Sequence, residues 1–252
     1  YVERLAEGVR KNKADIGFCY DPDGDRIGVV DEDGGILWND TLVSIFAMDL
    51  LDFEPGAKII FNNLCSKQVT DVIKSRGGKP VMWLTGHSFI KAKLKEERAL
   101  FGGELSGHFF FMDNFYGHDD CAFATLRLLN YLQRVGKSMK EVISQLPKYV
   151  SSPEIKLGLA DEIKFKFIKS PIGEELKRLY PKAEYVEIDG VRMDTPDKMA
   201  VIRASQNGPY ITIKFEARTQ GEYDTLRGQL REIMKSHKEI NWSFGVNIDS
   251  IS

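Results

Sequence analysis

The chain has 252 residues, 42% of them hydrophobic and 29% charged, so it can bury one large core or two ordinary ones. Its 35 Lys and Arg residues nearly balance its 37 Asp and Glu residues, and the net charge of −2 gives no electrostatic basis for general nucleic-acid or membrane binding. The three cysteines are far apart and form no CxxC pair, which argues against a disulfide framework or a zinc site and favours a reducing, cytoplasmic setting.

The first residues already follow a helical pattern. Val2, Leu5 and Val9 share one face of a predicted helix that ends near residue 12, and no initiator Met or capping residue precedes it. We therefore interpret the sequence as a piece of a longer protein, in which the lack of a targeting signal says little. The sequence contains no run of about eighteen apolar residues, so it predicts no transmembrane helix.

Strands and helices alternate over the first 135 residues. Apolar strands are predicted at residues 14–20 and 27–30, separated by a polar turn, and the hairpin signal Asp33–Gly35 leads into residues 36–38. Further strands are predicted at 57–61, 80–84 and within 101–111, and helices at 41–52 (with Asn39 or Asp40 as cap), 66–76, 88–98 and 119–135. This alternation predicts an α/β layered domain with a mainly parallel, mixed sheet.

The pattern changes near residue 150. It predicts a helix at 161–179, strands at 185–189, 199–203 and 210–216, and a helix at 222–237. Within the last strand, Ile211, Ile213 and Phe215 alternate with polar residues, as in an antiparallel strand with one buried face. We expect a smaller α+β domain with an antiparallel sheet.

The turn Asp21–Arg26, with the sequence DPDGDR, is the strongest chemical signal. On an extended strand its three aspartates would lie too far apart to share an ion, but Gly24 allows the backbone to curl so that they converge. Converged carboxylates need a cation, and oxygen ligands favour Mg²⁺, Mn²⁺ or Ca²⁺. The following Arg26 can bind a phosphate oxygen. The alternative is a solvated turn between two strands.

An EF-hand is the obvious competing interpretation, since Glu32 occupies the twelfth position of such a loop. The sixth position is Arg26, where the calcium loop needs glycine, and predicted strands flank the turn. We therefore reject this interpretation.

Three further motifs carry polar groups. Residues 103–108 (GELSGH) offer a carboxylate, a hydroxyl and an imidazole that suit sugar hydroxyls, although a simple connecting loop is equally consistent with them. Residues 203–209 (RASQNGP) can cradle a phosphate with Arg, Ser and Asn side chains and a glycine amide, although Asn-Gly is also a hairpin signal. His87 follows a strand end, where α/β sheets bind ligands, but a lone histidine is often structural.

Taken in order, these four motifs resemble those of the α-D-phosphohexomutase superfamily, specifically its phosphomannomutase/phosphoglucomutase branch. The resemblance covers the whole chain. It implies that residues 1–37 are the end of domain 2 with the metal loop, 38–149 are domain 3 with the sugar-binding loop, and 150–252 are domain 4 with the phosphate-binding loop.

The resemblance also implies roles for individual residues. These are Mg²⁺ ligation by Asp21, Asp23 and Asp25; catalytic roles for Arg26 and His87; and substrate binding by Glu104, Ser106, His108, Arg203, Ser205, Asn207 and Gly208. The implied activity interconverts glucose or mannose 1-phosphate and 6-phosphate through a phosphoserine and a hexose 1,6-bisphosphate, which also serves as activator.

The sequence departs from the family pattern at three points. No loop of the Thr-Ala-Ser-His-Asn-Pro type, which carries the family's phosphoserine, occurs in these residues, so we expect the chain alone to be inactive. Leu64 stands where many relatives have a lysine, which leaves the general acid/base unassigned, and Lys67 is the nearest substitute. Gln206-Asn207 replaces a frequent Asn-Thr pair.

Two alternatives stay open. A haloacid-dehalogenase-type phosphatase also places Asp-x-Asp-Gly after an apolar strand, and Asp119 and Asp120 could be its second acidic pair. That family, however, follows Asp-x-Asp-Gly with Thr or Val, whereas Asp25-Arg26 follows here. The second alternative is a non-catalytic module that binds a sugar phosphate.

Overall fold

A computed structural model describes residues 2–252, which divide into two compact units on either side of the Pro147–Lys148 bond. No helix in this described range is both long and apolar enough to cross a membrane. The finer division of the first unit at residue 37 stays a prediction.

The first unit begins with a small antiparallel sheet. Helix α1 (Val2–Asn12) precedes strands β1 (Ile16–Tyr20), β2 (Ile27–Asp31) and β3 (Ile36–Leu37), which pair in that order. The apolar face of α1 packs on this sheet, with Ala6 and Val9 against Val30. Because Tyr20 pairs with Ile27, the acidic turn is the connection between β1 and β2.

The rest of the first unit is a layered α/β structure. Its elements are α2 (Asn39–Leu51), β4 (Lys58–Asn62), α3 (Lys67–Ser75), β5 (Lys79–Trp83), α4 (His87–Glu97), β6 (Phe101–Gly103), β7 (Phe109–Phe111), α5 (Cys121–Val135) and α6 (Met139–Ser144). The sheet order is β5-β4-β6-β7; β4 runs parallel to β5 and β6, and β7 is antiparallel. The predicted mixed, mainly parallel sheet is confirmed.

Helix α2 is buried on nearly every side. Its Phe46 ring packs edge-on against Phe101, Phe109 and Phe111 of the sheet, with centroid distances of 5.0–5.8 Å. The helix begins at Asn39, and Trp38 at its N-cap makes no side-chain cap bond, so the predicted Asn39 or Asp40 cap is wrong. Asp40 instead accepts from the amide of Ser66, which fixes the start of α3.

The second unit is an antiparallel sheet with helices. Its elements are β8 (Val150–Ser151), β9 (Ile155–Gly158), α7 (Lys164–Phe167), α8 (Gly173–Leu179), β10 (Glu184–Val186), β11 (Val191–Asp194), β12 (Lys198–Ala204), β13 (Tyr210–Ala217), α9 (Gln220–Ser236), β14 (Asn241–Val246) and a 3₁₀ turn (Ile248–Ser250). The order is β10-β11-β12-β13-β9-β14, and β8 also pairs with β13. The predicted α+β class is confirmed.

The single helix predicted at 161–179 is wrong. The structure has α7, an irregular wide turn over Ile168–Ile172, and then α8. Ser170 is extended, with φ −149° and ψ 118°, because the residue before a proline avoids the helical region and Pro171 cannot donate the backbone bond.

The prediction that strand 210–216 has one exposed face is also wrong. Thr212, Lys214 and Glu216 are as buried as the apolar residues between them. Alternation of polar and apolar residues reports which groups share a face, whereas burial also depends on what covers that face. The same sheet buries Arg192, whose guanidinium binds Asp194 at 2.7 and 3.1 Å and so keeps its charge paired.

Candidate functional site

The acidic turn curls back on itself through Asp21. Its Oδ1 accepts from the amides of Asp25 and Arg26 at 3.1 Å each, and its Oδ2 accepts from Arg26 Nε at 2.6 Å. Gly24, with φ +75°, supplies the left-handed residue that this curl requires. One carboxylate oxygen each from Asp21, Asp23 and Asp25 lies within 4.8 Å of the others.

The charges of this turn are unevenly compensated. Burial acts to raise the pKa of Asp21, but hydrogen bonds from Arg26 outweigh it and bring the pKa to about 2. The pKa of Asp25 is raised, first by burial and also by the charges of Asp21 and Asp23. Within the described range Asp25 Oδ1 is buried with no hydrogen-bond partner. Three converged carboxylates, one of which has such an orphan oxygen, fit a divalent cation of the Mg²⁺ type.

A second cluster adjoins this turn through Asp25. His108 Nδ1 lies 3.7 Å from Asp25 Oδ2 and 3.0 Å from Asp119 Oδ2. His87 Nδ1 lies 3.4 Å from the same Asp119 oxygen, and the two imidazole rings stack at 5.5 Å. Lys91 Nζ lies 2.5 Å from the other oxygen, Asp119 Oδ1. The Asp119 carboxylate therefore lies next to two imidazole rings and one ammonium group.

The fold brings these groups together from separate elements. His87 is the first residue of α4, and Lys91 lies one turn later on that helix. His108 precedes β7, whose Phe110 forms a bridge with Asp119 just before α5. The acidic turn is fixed to the start of α5 by the Cys121 amide, which donates to the Gly24 carbonyl at 3.1 Å.

The predicted sugar-binding loop is held by two asparagines that the sequence analysis missed. Asn62 at the end of β4 accepts from the Leu105 amide at 3.1 Å, and Asn39 donates to the Leu105 carbonyl at 3.2 Å. At Gly107, φ is +100°, and an added Cβ would lie 2.9 Å from the Asn39 side chain. The loop therefore requires glycine at this position.

The candidate sugar-binding residues differ in exposure. Glu104 is only 1% exposed, and its Oε1 accepts from the Gly86 amide at 2.6 Å. Burial raises the pKa of Glu104, and the Gly86 bond partly opposes this rise. Ser106 lies exposed at the tip of the loop. Glu104 thus connects the sugar loop to the turn before His87.

In the second unit, the predicted phosphate loop (Arg203–Pro209) connects β12 and β13. Arg203 is mostly buried, and its Nε donates to Asp189 Oδ2 at 2.9 Å. This bond engages Nε and not the two Nη atoms. Ser205 Oγ accepts from the Asn207 amide at 3.0 Å, so these two residues share one turn. Asn207 itself is exposed and Gly208 partly so.

A buried lysine contacts this loop from outside it. Lys164 Nζ donates to the Gly208 carbonyl at 2.8 Å and to Asp161 Oδ1 at 2.6 Å. Sequence patterns do not indicate Lys164, because 44 residues separate it from Gly208. The contacts of Asp189, Lys91, Asn39 and Asn62 are likewise with residues distant in sequence, so local patterns do not predict them.

Leu64, which stands where many relatives have a lysine, provides no ammonium group. Leu64 is buried after β4, in the Asn62–Ser66 connection. Lys67, the nearest alternative, begins α3, and its Nζ lies 3.6 Å from Asp71 one turn along that helix. A histidine does adjoin the acidic turn, since His108 Nδ1 lies 3.7 Å from Asp25 Oδ2.

Comparison with known proteins gives consistent matches. Residues 38–149 match the family model described as phosphoglucomutase/phosphomannomutase, alpha/beta/alpha domain III. A phosphomannomutase/phosphoglucomutase of Pseudomonas syringae pv. tomato is 38% identical over 234 residues, covering 93% of this chain and 50% of that protein. A phosphoglucomutase of Neisseria meningitidis serogroup A is 35% identical, covering 96% and 52%.

Solved structures agree. The crystal structure of a phosphoglucomutase/phosphomannomutase family protein from Burkholderia thailandensis has a TM-score of 0.81 at 35% identity, covering 94% of this chain and 50% of its own. An N-acetylphosphoglucosamine mutase of Aspergillus fumigatus shares the fold at 17% identity, with a TM-score of 0.59.

The fold is therefore that of the α-D-phosphohexomutase superfamily. By sequence, the chain is similar to proteins of the phosphomannomutase/phosphoglucomutase branch of that superfamily, the branch that its motifs resemble. It spans about half the length of the relatives it matches.

Proposed function

We propose that this chain supplies the metal, sugar and phosphate sites of a phosphohexomutase that interconverts hexose 1-phosphate and hexose 6-phosphate. In the full-length enzyme, the reaction would run through a phosphoserine outside these residues and a hexose 1,6-bisphosphate, which would also act as activator. The observation that carries the proposal is the convergence of Asp21, Asp23 and Asp25 beside Arg26, in a chain of this family.

The acidic turn is the proposed Mg²⁺ site, with one oxygen from each aspartate as ligand. The A. fumigatus fold neighbour was solved with GlcNAc-6P and magnesium, which supports a metal of this kind in the fold. When bound, Mg²⁺ would neutralise charge on the phosphoryl group in transfer. Arg26, half exposed at the edge of the turn, would bind the oxygens of the same group.

Proton transfer is assigned to the histidines around Asp119. A neutral imidazole carries one N–H donor and one acceptor nitrogen, so it can give or take a proton. His108 lies closer to Asp119 than His87 does and also adjoins Asp25. His87 is half exposed and so is open to a substrate. In this proposal the Asp119 carboxylate lies close enough to attract either ring when it is protonated, and Lys91 keeps Asp119 ionised.

Substrate recognition is divided between two loops. Glu104, Ser106 and His108 would contact the sugar hydroxyls, with Glu104 also fixing the loop. Arg203, Ser205, Asn207 and the Gly208 amide would hold the phosphate that does not react. Glucose and mannose phosphates both fit this scheme. The phosphatase alternative receives no support from the comparisons, and we propose a cytoplasmic setting, as the cysteine pattern favours.

The chain alone should have no mutase activity on glucose 1-phosphate or mannose 1-phosphate, because its residues contain no phosphoserine loop. A coupled assay with hexose 1,6-bisphosphate checks this directly. Turnover comparable to that of ordinary mutases would contradict the proposal, and steady release of inorganic phosphate would instead favour the phosphatase alternative.

Arg203→Ala should remove most of the affinity of the chain for mannose 6-phosphate, since an Arg–phosphate pair is among the strongest charge-assisted contacts. Calorimetry measures this affinity. Arg227→Ala on α9, which removes an exposed guanidinium, is the matched control and should bind as the parent does. Equal affinity in both variants would count against the phosphate loop.

A further inference from the structure

The loop Arg203–Pro209 rests on a buried ammonium group. Lys164 opens the four-residue helix α7, and its side chain is only 5% exposed. Removing an ammonium from water is costly unless strong partners replace the water. Within residues 2–252 its hydrogen-bond acceptors are the Asp161 carboxylate and the Gly208 carbonyl.

These two partners are not equivalent. The Asp161 side chain is 57% exposed, and ion pairs with a solvated carboxylate contribute little. The Gly208 carbonyl belongs to the phosphate loop and also accepts from the Tyr210 amide at 2.8 Å. Of the two contacts, the one with Gly208 is the one that connects the buried charge to the loop.

An anion site needs N–H groups facing the ligand and carbonyl oxygens facing away from it. A carbonyl held by a buried ammonium cannot rotate toward the ligand, where it would repel a phosphate. The bond from Lys164 to the Gly208 carbonyl also fixes the backbone next to Asn207. The buried positive charge of Lys164 adds to the attraction of the loop for an anion.

We infer that Lys164 is a positioning residue for phosphate recognition. It lies outside the loop, and its bond to the Gly208 carbonyl turns that oxygen away from the phosphate and keeps the Asn207–Gly208 backbone in its anion-binding conformation. The inference rests on the proposed phosphate-binding function of the loop. Asp189 acts on the same loop in a complementary way, since its bond to Arg203 Nε aims that guanidinium.

The test compares Lys164→Met with Lys166→Met in the 252-residue chain. Lys166 is exposed on the same short helix, so both variants lose one charge but only the first loses the loop contact. Titration with mannose 6-phosphate, followed by NMR at the Asn207 and Gly208 amides, should show about tenfold weaker binding for Lys164→Met and an unchanged affinity for Lys166→Met. The unliganded Lys164→Met loop should also show greater amide mobility.

Equal affinities of the parent and a folded Lys164→Met would overturn the inference alone. If that variant does not fold, Lys164→Arg and Lys164→Gln replace it, because only arginine keeps a charged donor long enough to reach the carbonyl. Binding retained by Lys164→Arg and lost by Lys164→Gln would support the inference. Equal binding by both variants would overturn it. No binding by the unchanged chain would overturn the proposed phosphate function, and the inference with it.

Discussion

Asp25 belongs to both polar clusters of the first unit. Within residues 2–252, its Oδ1 is buried without a hydrogen bond, 3.6 Å from Arg26 Nε, and its Oδ2 faces His108. Of the residues involved, only the three aspartates and Arg26 are neighbours in sequence, and these are the ones that spacing alone predicted to converge. The contacts of Asp119, Lys91 and Asn39 come from distant segments, which local patterns do not report.

Metal binding at the acidic turn should stabilise the chain. Millimolar Mg²⁺ or Mn²⁺ should raise the melting temperature of the chain by about 2–4 °C for each kcal/mol of binding free energy. Asp23→Asn should abolish this rise while leaving the metal-free fold as stable as before or slightly more so, because one repelling charge is gone. Differential scanning fluorimetry measures both effects.

Asp15→Asn is the matched control, since Asp15 is exposed and lies outside the acidic turn. It should respond to metal as the parent chain does. A metal response of Asp23→Asn equal to that of Asp15→Asn would show that the three aspartates do not form the site.

At the scale of elements, Glu97 connects a strand to a helix. Its Oε2 accepts from Lys58 of β4 at 2.6 Å, and its Oε1 lies 2.8 Å from Lys93 of α4. These two lysines, Lys58 first, lower the pKa of Glu97 from 4.5 to about 2. The ionised carboxylate therefore stabilises the fold above its unfolded pKa, and this contribution is lost as the pH falls from about 4.5 toward 2.

Glu97→Gln should therefore lower the urea midpoint modestly near neutral pH. Its difference from the parent should shrink as the pH is lowered below about 4. Glu96→Gln removes a neighbouring, more exposed carboxylate that, within residues 2–252, pairs only with Lys93, and it should change the midpoint less. A difference for Glu97→Gln that stays constant with pH would show that ionisation of Glu97 is not the cause.

Most elements of the first unit could be predicted because each is short, apolar and bounded by glycine or polar turns. The second unit was harder to predict. Pro171 interrupts a sequence that is otherwise helical, and β9, β11 and β14 lack a distinctive alternation. The burial of Lys214 and Glu216 could not be predicted, since sequence polarity does not show what covers a strand face.

For the whole molecule, we propose that these 252 residues provide the substrate-binding half of a phosphohexomutase. The support is the likeness to mutases of this kind, together with candidate site residues in each of the two compact units. Neither unit carries a phosphoserine loop in this sequence. Activity should therefore appear only when the missing half is supplied.

The most direct test is a chimera in which this chain replaces the half of the P. syringae relative that it matches. The chimera should convert glucose 1-phosphate to glucose 6-phosphate in a coupled assay with hexose 1,6-bisphosphate and Mg²⁺. Asp23→Asn should lower the kcat of the chimera at least about a hundredfold. A folded chimera that binds glucose 6-phosphate without turnover, or one whose kcat is unaffected by Asp23→Asn, would contradict the account.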